Sequence, residues 1–239
     1  MAAVTLLTTH GLSQNFGGVK AVRNVDFTLK QGQIRALIGP NGAGKTTLVS
    51  MLCGRIKASS GSIHFQGQDV TNMPAHKRIA MGMAYTFQIT SIFGNLTVYE
   101  NVALAVQRRL GRNQKQLDKE TTIALKRVGL DSRAEQTAGD LAYGHQRLVE
   151  IAMGLGQEPK LLILDEPTQG LSDGEIEEFI ALIREVSANT TVLLIEHNIP
   201  VVMALADRIT VLSFGEIIAE GTPEEIHANP LVQAAYLGG

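Results

Sequence analysis

The sequence predicts an α/β fold with a parallel sheet and a helical insertion near residues 90–155. Three observations predict it. Leu161–Leu164 is a short continuous apolar run, as a strand buried on both faces requires, and Thr191–Ile195 reads as a second such strand. Strand and helix signals alternate through the last third of the chain. The middle third carries helix signals only.

Val22–Leu29 alternates apolar and polar residues, the pattern of a half-buried strand. Gln33–Ile38 follows and runs into a Gly-rich turn. Lys45–Cys53 holds good helix formers and stops at Gly54, a C′ glycine. Ile63–Val70, with Gly67 inside it, reads as a hairpin. Thr97 and Glu100 make a capping-box pattern ahead of the apolar run Val98–Val106. Gln114–Val128 and Tyr143–Leu155 are two further helices. Ser172 and Glu175 form another capping box, opening a helix to about Val186. Arg208–Ser213 and Glu216–Glu220 flank Phe214-Gly215, a hairpin signal. Thr222-Pro223-Glu224-Glu225 joins a capping box to proline at the first helical position.

At roughly 150 residues per domain, 239 residues make one large domain or one domain with an insertion. Hydrophobic residues are 44% and charged residues 18%, enough apolar side chains for a sizeable core. A net charge of −2 argues against bulk nucleic acid as a partner, and none is expected. One cysteine excludes a disulfide framework or a multi-cysteine metal site and fits a reducing compartment. No apolar run approaches the ~20 residues that cross a bilayer. The N-terminal MAAVTLLTTHG lacks the pattern of a signal peptide. Arg108–Arg133 is locally basic and reads as a solvated helical face, with lipid head groups or an acidic partner as the alternative.

Gly39-Pro-Asn41-Gly42-Ala43-Gly44-Lys45-Thr46 fits G-x-x-x-x-G-K-[ST] between a strand and a helix. Its glycines let successive backbone N–H groups converge, and with the following helix N-terminus they make an anion site. Lys45 supplies a point charge for β- and γ-phosphates. The Thr46 hydroxyl can ligate Mg²⁺, and Thr47 can bond an α-phosphate. Asp165 and Glu166 end the apolar run at Leu161–Leu164, on the sheet edge where ligands bind in open α/β folds. Asp165 suits Mg²⁺, and Glu166 suits orienting or deprotonating an attacking water.

These residues resemble the ATP-binding cassette (ABC) ATPases, and four further elements follow in the family's order over about residues 4–230. Gln88, in Thr86-Phe87-Gln88, resembles the Q-loop glutamine. Leu141-Ala142-Tyr143-Gly144-His145-Gln146 resembles the signature motif. Glu166-Pro-Thr-Gln-Gly-Leu-Ser172 resembles the passage from Walker B to the D-loop, and His197 the switch histidine. Phe16 stands where the family stacks an aromatic ring on adenine. The signature departs from the usual Leu-Ser-Gly-Gly-Gln: Ala142 lacks the serine hydroxyl, Tyr143 replaces the first glycine and His145 replaces glutamine. Gly144 is kept. The D-loop reads Gln-Gly-Leu-Ser rather than the common Ser-Ala-Leu-Asp. Such wording, with Phe16-Gly-Gly-Val-Lys-Ala-Val, is similar to the ATPase subunits of branched-chain (hydrophobic) amino-acid importers.

The resemblance implies a P-loop NTPase core with a mainly parallel sheet, an N-terminal antiparallel β region and a helical subdomain insertion. It implies one domain over 1–239, with 1–92 and 156–239 forming the core and 93–155 the helical signature subdomain. ATP and Mg²⁺ are the implied cofactors. Glu166, His197 and Gln88 are implied in catalysis, and Thr46, Gln88 and Asp165 around the metal. Ala142, Gly144 and His145 are expected to complete the nucleotide site of a second protomer, identical or paralogous. Transmembrane permease subunits, and through them a solute-binding protein, are expected partners, placing the chain in the cytoplasm on the inner face of the membrane. A soluble non-transport ABC ATPase and the ATPase of a lipid or lipopolysaccharide-type exporter are the alternatives.

Overall fold

The computed structural model describes residues 4–86, 91–111 and 113–237. The chain opens on β1 (Thr5–Phe16), which pairs antiparallel with β2 (Val19–Lys30). Register shifts between Thr9 and Leu12, around Gly11. The buried residues of β1 therefore change phase midway, from Leu7 and Thr9 to Leu12 and Gln14. That bulge hides a 12-residue strand from a reading based on alternation. β3 (Ile34–Ile38) leads through the Gly-rich loop into α1 (Lys45–Leu52). β4 (Ser60–Phe65) and β5 (Gln68–Asp69) form the expected hairpin, turning at Gln66 and Gly67, both at positive φ. These strands complete an antiparallel sheet in the order β2-β1-β4-β5.

A short helix, α2 (Ala75–Ala80), precedes β6 (Met83–Thr86). The helical insertion then runs through α3 (Val98–Leu110), α4 (Gln114–Arg127) and α5 (Tyr143–Leu155). Thr97 caps α3 reciprocally: its Oγ1 accepts from the Glu100 N–H at 3.0 Å, and Glu100 Oε2 accepts from the Thr97 N–H at 2.8 Å. The entry and exit of the α3–α4 pair are zipped together. The N–H groups of Val98, Ala138 and Gly139 donate to the carbonyls of Gln136, Leu96 and Gly94. Fully buried Asn101 fastens the entry from within, accepting from the Phe93 N–H at 2.7 Å and donating to the carbonyls of Phe93 and Thr97.

The chain returns through β7 (Leu161–Asp165), α6 (Asp173–Ser187), β8 (Thr191–Ile195), α7 (Ile199–Leu205), β9 (Arg208–Ser213), β10 (Glu216–Gly221), α8 (Pro223–His227) and α9 (Pro230–Leu237). The main sheet has six strands in the order β10-β9-β3-β8-β7-β6. Every pairing in it is parallel except β10 with β9. The fold is therefore the expected α/β arrangement with a mainly parallel sheet and a separate antiparallel one. Among the described residues, no helix is long and apolar enough to cross a membrane.

The two-residue period of the central strands divides the core. Leu161, Ile163, Leu193 and Ile195 face α1, whose Leu48, Val49, Met51 and Leu52 pack on Leu7, Phe27, Leu29 and Phe65 of the antiparallel sheet. Leu162, Leu164, Val192 and Leu194 face the other way, toward Val106, Val149, Ile151, Phe179 and Ile183 on α3, α5 and α6. α1 thus lies between the two sheets. Its far end is closed twice. Gly54 at φ 73° completes a Schellman turn, with its N–H on the Met51 carbonyl and the Arg55 N–H on the Ser50 carbonyl. The fully buried Arg78 of α2 then donates to the carbonyls of Met51, Leu52, Thr71 and Met73.

Candidate active site

The loop between β3 and α1 wraps its own lysine. Lys45 is buried, and its Nζ donates to the carbonyls of Gly39 at 2.7 Å and Pro40 at 3.0 Å. Burial lowers its pKa, and the nearby carboxylates of Glu166 and Asp165 oppose that shift. Two glycines have no substitute here. A Cβ on Gly39 would lie 2.0 Å from the Leu212 carbonyl oxygen, and one on Gly44 2.3 Å from that of Ala21. The loop is therefore clasped by β2 and β9 at backbone distance. The Gly215 N–H adds a bond to the Ala43 carbonyl at 2.9 Å.

Beside the loop opens a cavity of about 580 Å³. Asn41, Gly42, Ala43, Gly44, Lys45, Thr46 and Thr47 line it, together with Glu166 from the sheet edge. Its remaining wall comes from Val19, Lys20, Ala21 and Arg23 of β2 and from Phe214. Phe214 is 84% exposed and sits at φ 46° in the β9–β10 hairpin. Phe16 is half exposed at the end of β1, opposite Val19, and is not among the lining residues.

Asp165 is 2% exposed at the C-terminal end of β7. Burial raises its pKa; a hydrogen bond from the Tyr85 hydroxyl, 2.7 Å from Oδ2, opposes this, and the neighbouring Glu166 adds to it. Glu166 adopts φ 49°, with its N–H bonded to the Ile195 carbonyl. Its Oε1 lies 3.9 Å from His197 Nδ1, longer than a hydrogen bond. Glu196, fully buried, joins the two strand-end loops. Its Oε1 accepts from the Thr168 N–H and hydroxyl, and its Oε2 from the N–H groups of His197 and Asn198. Asp165, Glu166 and His197 are thus gathered beside the loop, and Glu196 is the tie that sequence reading passed over. Its signal was an acid ending a second buried strand.

Gln88 lies outside the described residues, as does Phe87. Ser91, just beyond them, is tethered: its N–H donates to Glu150 Oε1 at 2.5 Å, and Glu150 Oε2 accepts from Arg147 at 3.0 Å. Burial raises the Glu150 pKa, and the Ser91 bond and Arg147 restrain the rise. Ala142 precedes α5 and makes no side-chain cap. Tyr143 bends back, with Arg147 Nη2 donating to its hydroxyl at 3.0 Å and the guanidinium 5.4 Å from its ring centre. Gly144 and His145 line a different cavity, against α6, and neither they nor Ala142 line the loop's cavity. A third cavity, of about 290 Å³, separates the core from the insertion; Ile79, Met83, Tyr85, Ser91, Arg108 and Met153 help line it.

Comparison with known proteins gives a consistent result. Residues 22–169 match the family described as ABC transporter, and residues 216–239 that described as branched-chain amino acid ATP-binding cassette transporter. The chain is 41% identical to the high-affinity branched-chain amino acid transport ATP-binding protein LivG of Salmonella typhimurium, covering 98% of each. It is 38% identical to BraF of Pseudomonas aeruginosa, which bears the same description, again over 98% of each. A nucleotide-free ATP-binding cassette from an ABC transporter superposes with a TM-score of 0.89 at 28% identity, covering 99% of this chain and all of that one.

Proposed function

The chain belongs to the ABC transporter family, among its branched-chain amino acid ATP-binding cassettes, and from that premise we propose that it binds and hydrolyses ATP to drive a membrane importer of branched-chain or other hydrophobic amino acids. The observation that carries the reading is one cavity lined together by the loop residues Asn41 to Thr47, Lys45 and Thr46 among them, and by Glu166 from the sheet edge. Gly39 to Gly44 and the N-terminus of α1 receive the triphosphate, with Asn41 and Ala43 in the loop backbone and Thr47 at the α-phosphate. Lys45 exchanges its carbonyl partners for β- and γ-phosphate oxygens. Phe16 stacks on adenine from the β1–β2 end.

Thr46 and Asp165 offer hard oxygen donors beside that cradle, and among the described residues no group of three or more His, Cys, Asp or Glu side chains is arranged to hold a metal ion by itself. This donor set fits Mg²⁺, which takes one or two protein oxygens and fills its shell with phosphate and water. Held by Thr46 and Asp165, Mg²⁺ would supply positive charge against the phosphates. Glu166 orients and deprotonates the attacking water, and His197 donates to the γ-phosphate. By the family resemblance, Gln88 would serve the metal and the attacking water.

Ala142, Gly144 and His145 close over the nucleotide of a second protomer, so that two head-to-tail chains bury two ATP molecules. Hydrolysis removes the shared γ-phosphate and releases the closure. The cavity between core and insertion receives a cytoplasmic helix of a permease subunit, which holds the chain at the inner face of the membrane and links it indirectly to a solute-binding protein. Glu166→Gln tests the reading: it keeps ATP binding, loses turnover by about 10²-fold or more, and accumulates an ATP-bound dimer by light scattering. Hydrolysis at the wild-type rate would overturn it. Affinity capture from solubilised membranes recovers multispanning permease subunits; recovery of a soluble assembly complex instead would refute the transport role.

A further inference from the structure

β6 and β7 are parallel neighbours, with Tyr85 in register with Ile163. Side chains two residues apart on a strand share a face, so Asp165 and Ile163 point to the side of the sheet that Tyr85 occupies. Tyr85 packs on that side, against the cluster around α1. Its ring spans the diagonal from one strand to the next and brings the phenol to the carboxylate. The hydroxyl donates to Asp165 Oδ2 at 2.7 Å, a charge-assisted bond to a nearly fully buried group.

The phenol is itself supplied with a donor. Arg55 follows the Schellman turn of α1, and its Nη1 lies 3.4 Å from the Tyr85 hydroxyl oxygen, with the guanidinium 5.5 Å from the ring centre. The order Arg55 to Tyr85 to Asp165 is directional: each group donates to the next, and such chains strengthen each bond they contain. Arg55 and Tyr85 both line the cavity between core and insertion. Asp165, at the hydroxyl end of the ring, is close enough to the phosphate loop for Lys45 to feel its charge.

We propose that Tyr85 is a positioning residue for the Asp165 carboxylate, holding it in the orientation that receives Mg²⁺, and that Arg55 reinforces this from the cavity facing the membrane partner. The inference rests on the assignment of Mg²⁺ to Thr46 and Asp165 above. A carboxylate that lost the bond would be free to rotate about χ2, and metal affinity would fall while the phosphate cradle stayed intact. Outer partners of metal ligands commonly change metal affinity by about 10- to 100-fold.

The test is ADP binding by calorimetry, in EDTA and in excess Mg²⁺, on the full-length chain. Using ADP removes turnover from the measurement. Tyr85→Phe deletes one oxygen and keeps the ring. Its ADP affinity in EDTA should match wild type within about twofold, while the tightening brought by Mg²⁺ falls about tenfold. Arg55→Met, at an exposed position, should reduce the same tightening by a smaller factor. Full retention of the Mg²⁺ effect in both variants would overturn the proposal. So would an equal loss with and without the metal, because that marks damage to the cradle. Should Tyr85→Phe not fold, Arg55→Met decides alone. A wild-type protein whose ADP affinity ignores Mg²⁺ would refute the metal assignment itself, a result distinct from a wild-type effect that Tyr85→Phe preserves.

Discussion

Ala142 shows what one missing hydroxyl does. The first turn of α5 has no side-chain cap, leaving its N–H groups to solvent or to a partner. Ala142→Ser should stabilise the protein by about 0.5–1.5 kcal/mol, a rise of a few degrees in Tm by calorimetry. The hydroxyl should also strengthen ATP-driven dimerisation of the Glu166→Gln protein, and a stabilised variant with unchanged dimerisation would separate capping from phosphate contact. Cys53 makes a second prediction. Burial pushes its thiol up to about 12. Iodoacetamide at pH 8.5 should therefore modify it only after denaturation. Between the ordinary thiol pKa and about 12, the unfolded chain loses a proton that the folded chain keeps. Stability falls across that window as pH rises, and Cys53→Ala should show the shallower decline in urea midpoint.

Most elements were legible where local chemistry and burial agree. The capping boxes at Thr97, Ser172 and Thr222 formed as spelled, because each needs only residues three apart. α5 and β8 begin and end where the pattern places them. β1 was invisible because its bulge breaks the period, and α2, β6, α7 and α9 are short pieces whose existence depends on what they pack against. The phosphate loop and the acidic pair could be read because their spacing is contiguous. Tyr85, Glu196 and the Ser91–Glu150–Arg147 tether could not, since each joins residues brought together only by the sheet or the insertion. Arg78 is the clearest such case. Arg78→Ala leaves the carbonyls that close α1 without their donor, and should cost about 3 kcal/mol in urea unfolding. Its nucleotide affinity should fall only as far as α1 loosens.

At the scale of the molecule, the signature residues and the phosphate loop of one chain belong to different cavities. Two defective proteins should therefore rescue each other. Lys45→Ala lacks a working cradle, and Gly144→Ala places a Cβ against Glu175 and Leu171 where the signature turn must stay narrow. Each should hydrolyse ATP poorly alone. Mixed, they should regain activity, because one site of the mixed dimer draws both halves from intact sequence; no gain on mixing would exclude the shared site.

The bonds that fasten residues 94–98 to residues 136–139 carry an evolutionary corollary. What lies between those clasped ends is fastened a second time at the far end of α3, where Arg108 donates to the His76 carbonyl and Arg109 pairs with Glu158, and along α3 by the buried Val102 and Val106. A relative that changes length between these ends must therefore keep both fastenings, the bonds at 94–98 and 136–139 and the Arg108 and Arg109 contacts that hold the end of α3 to the core.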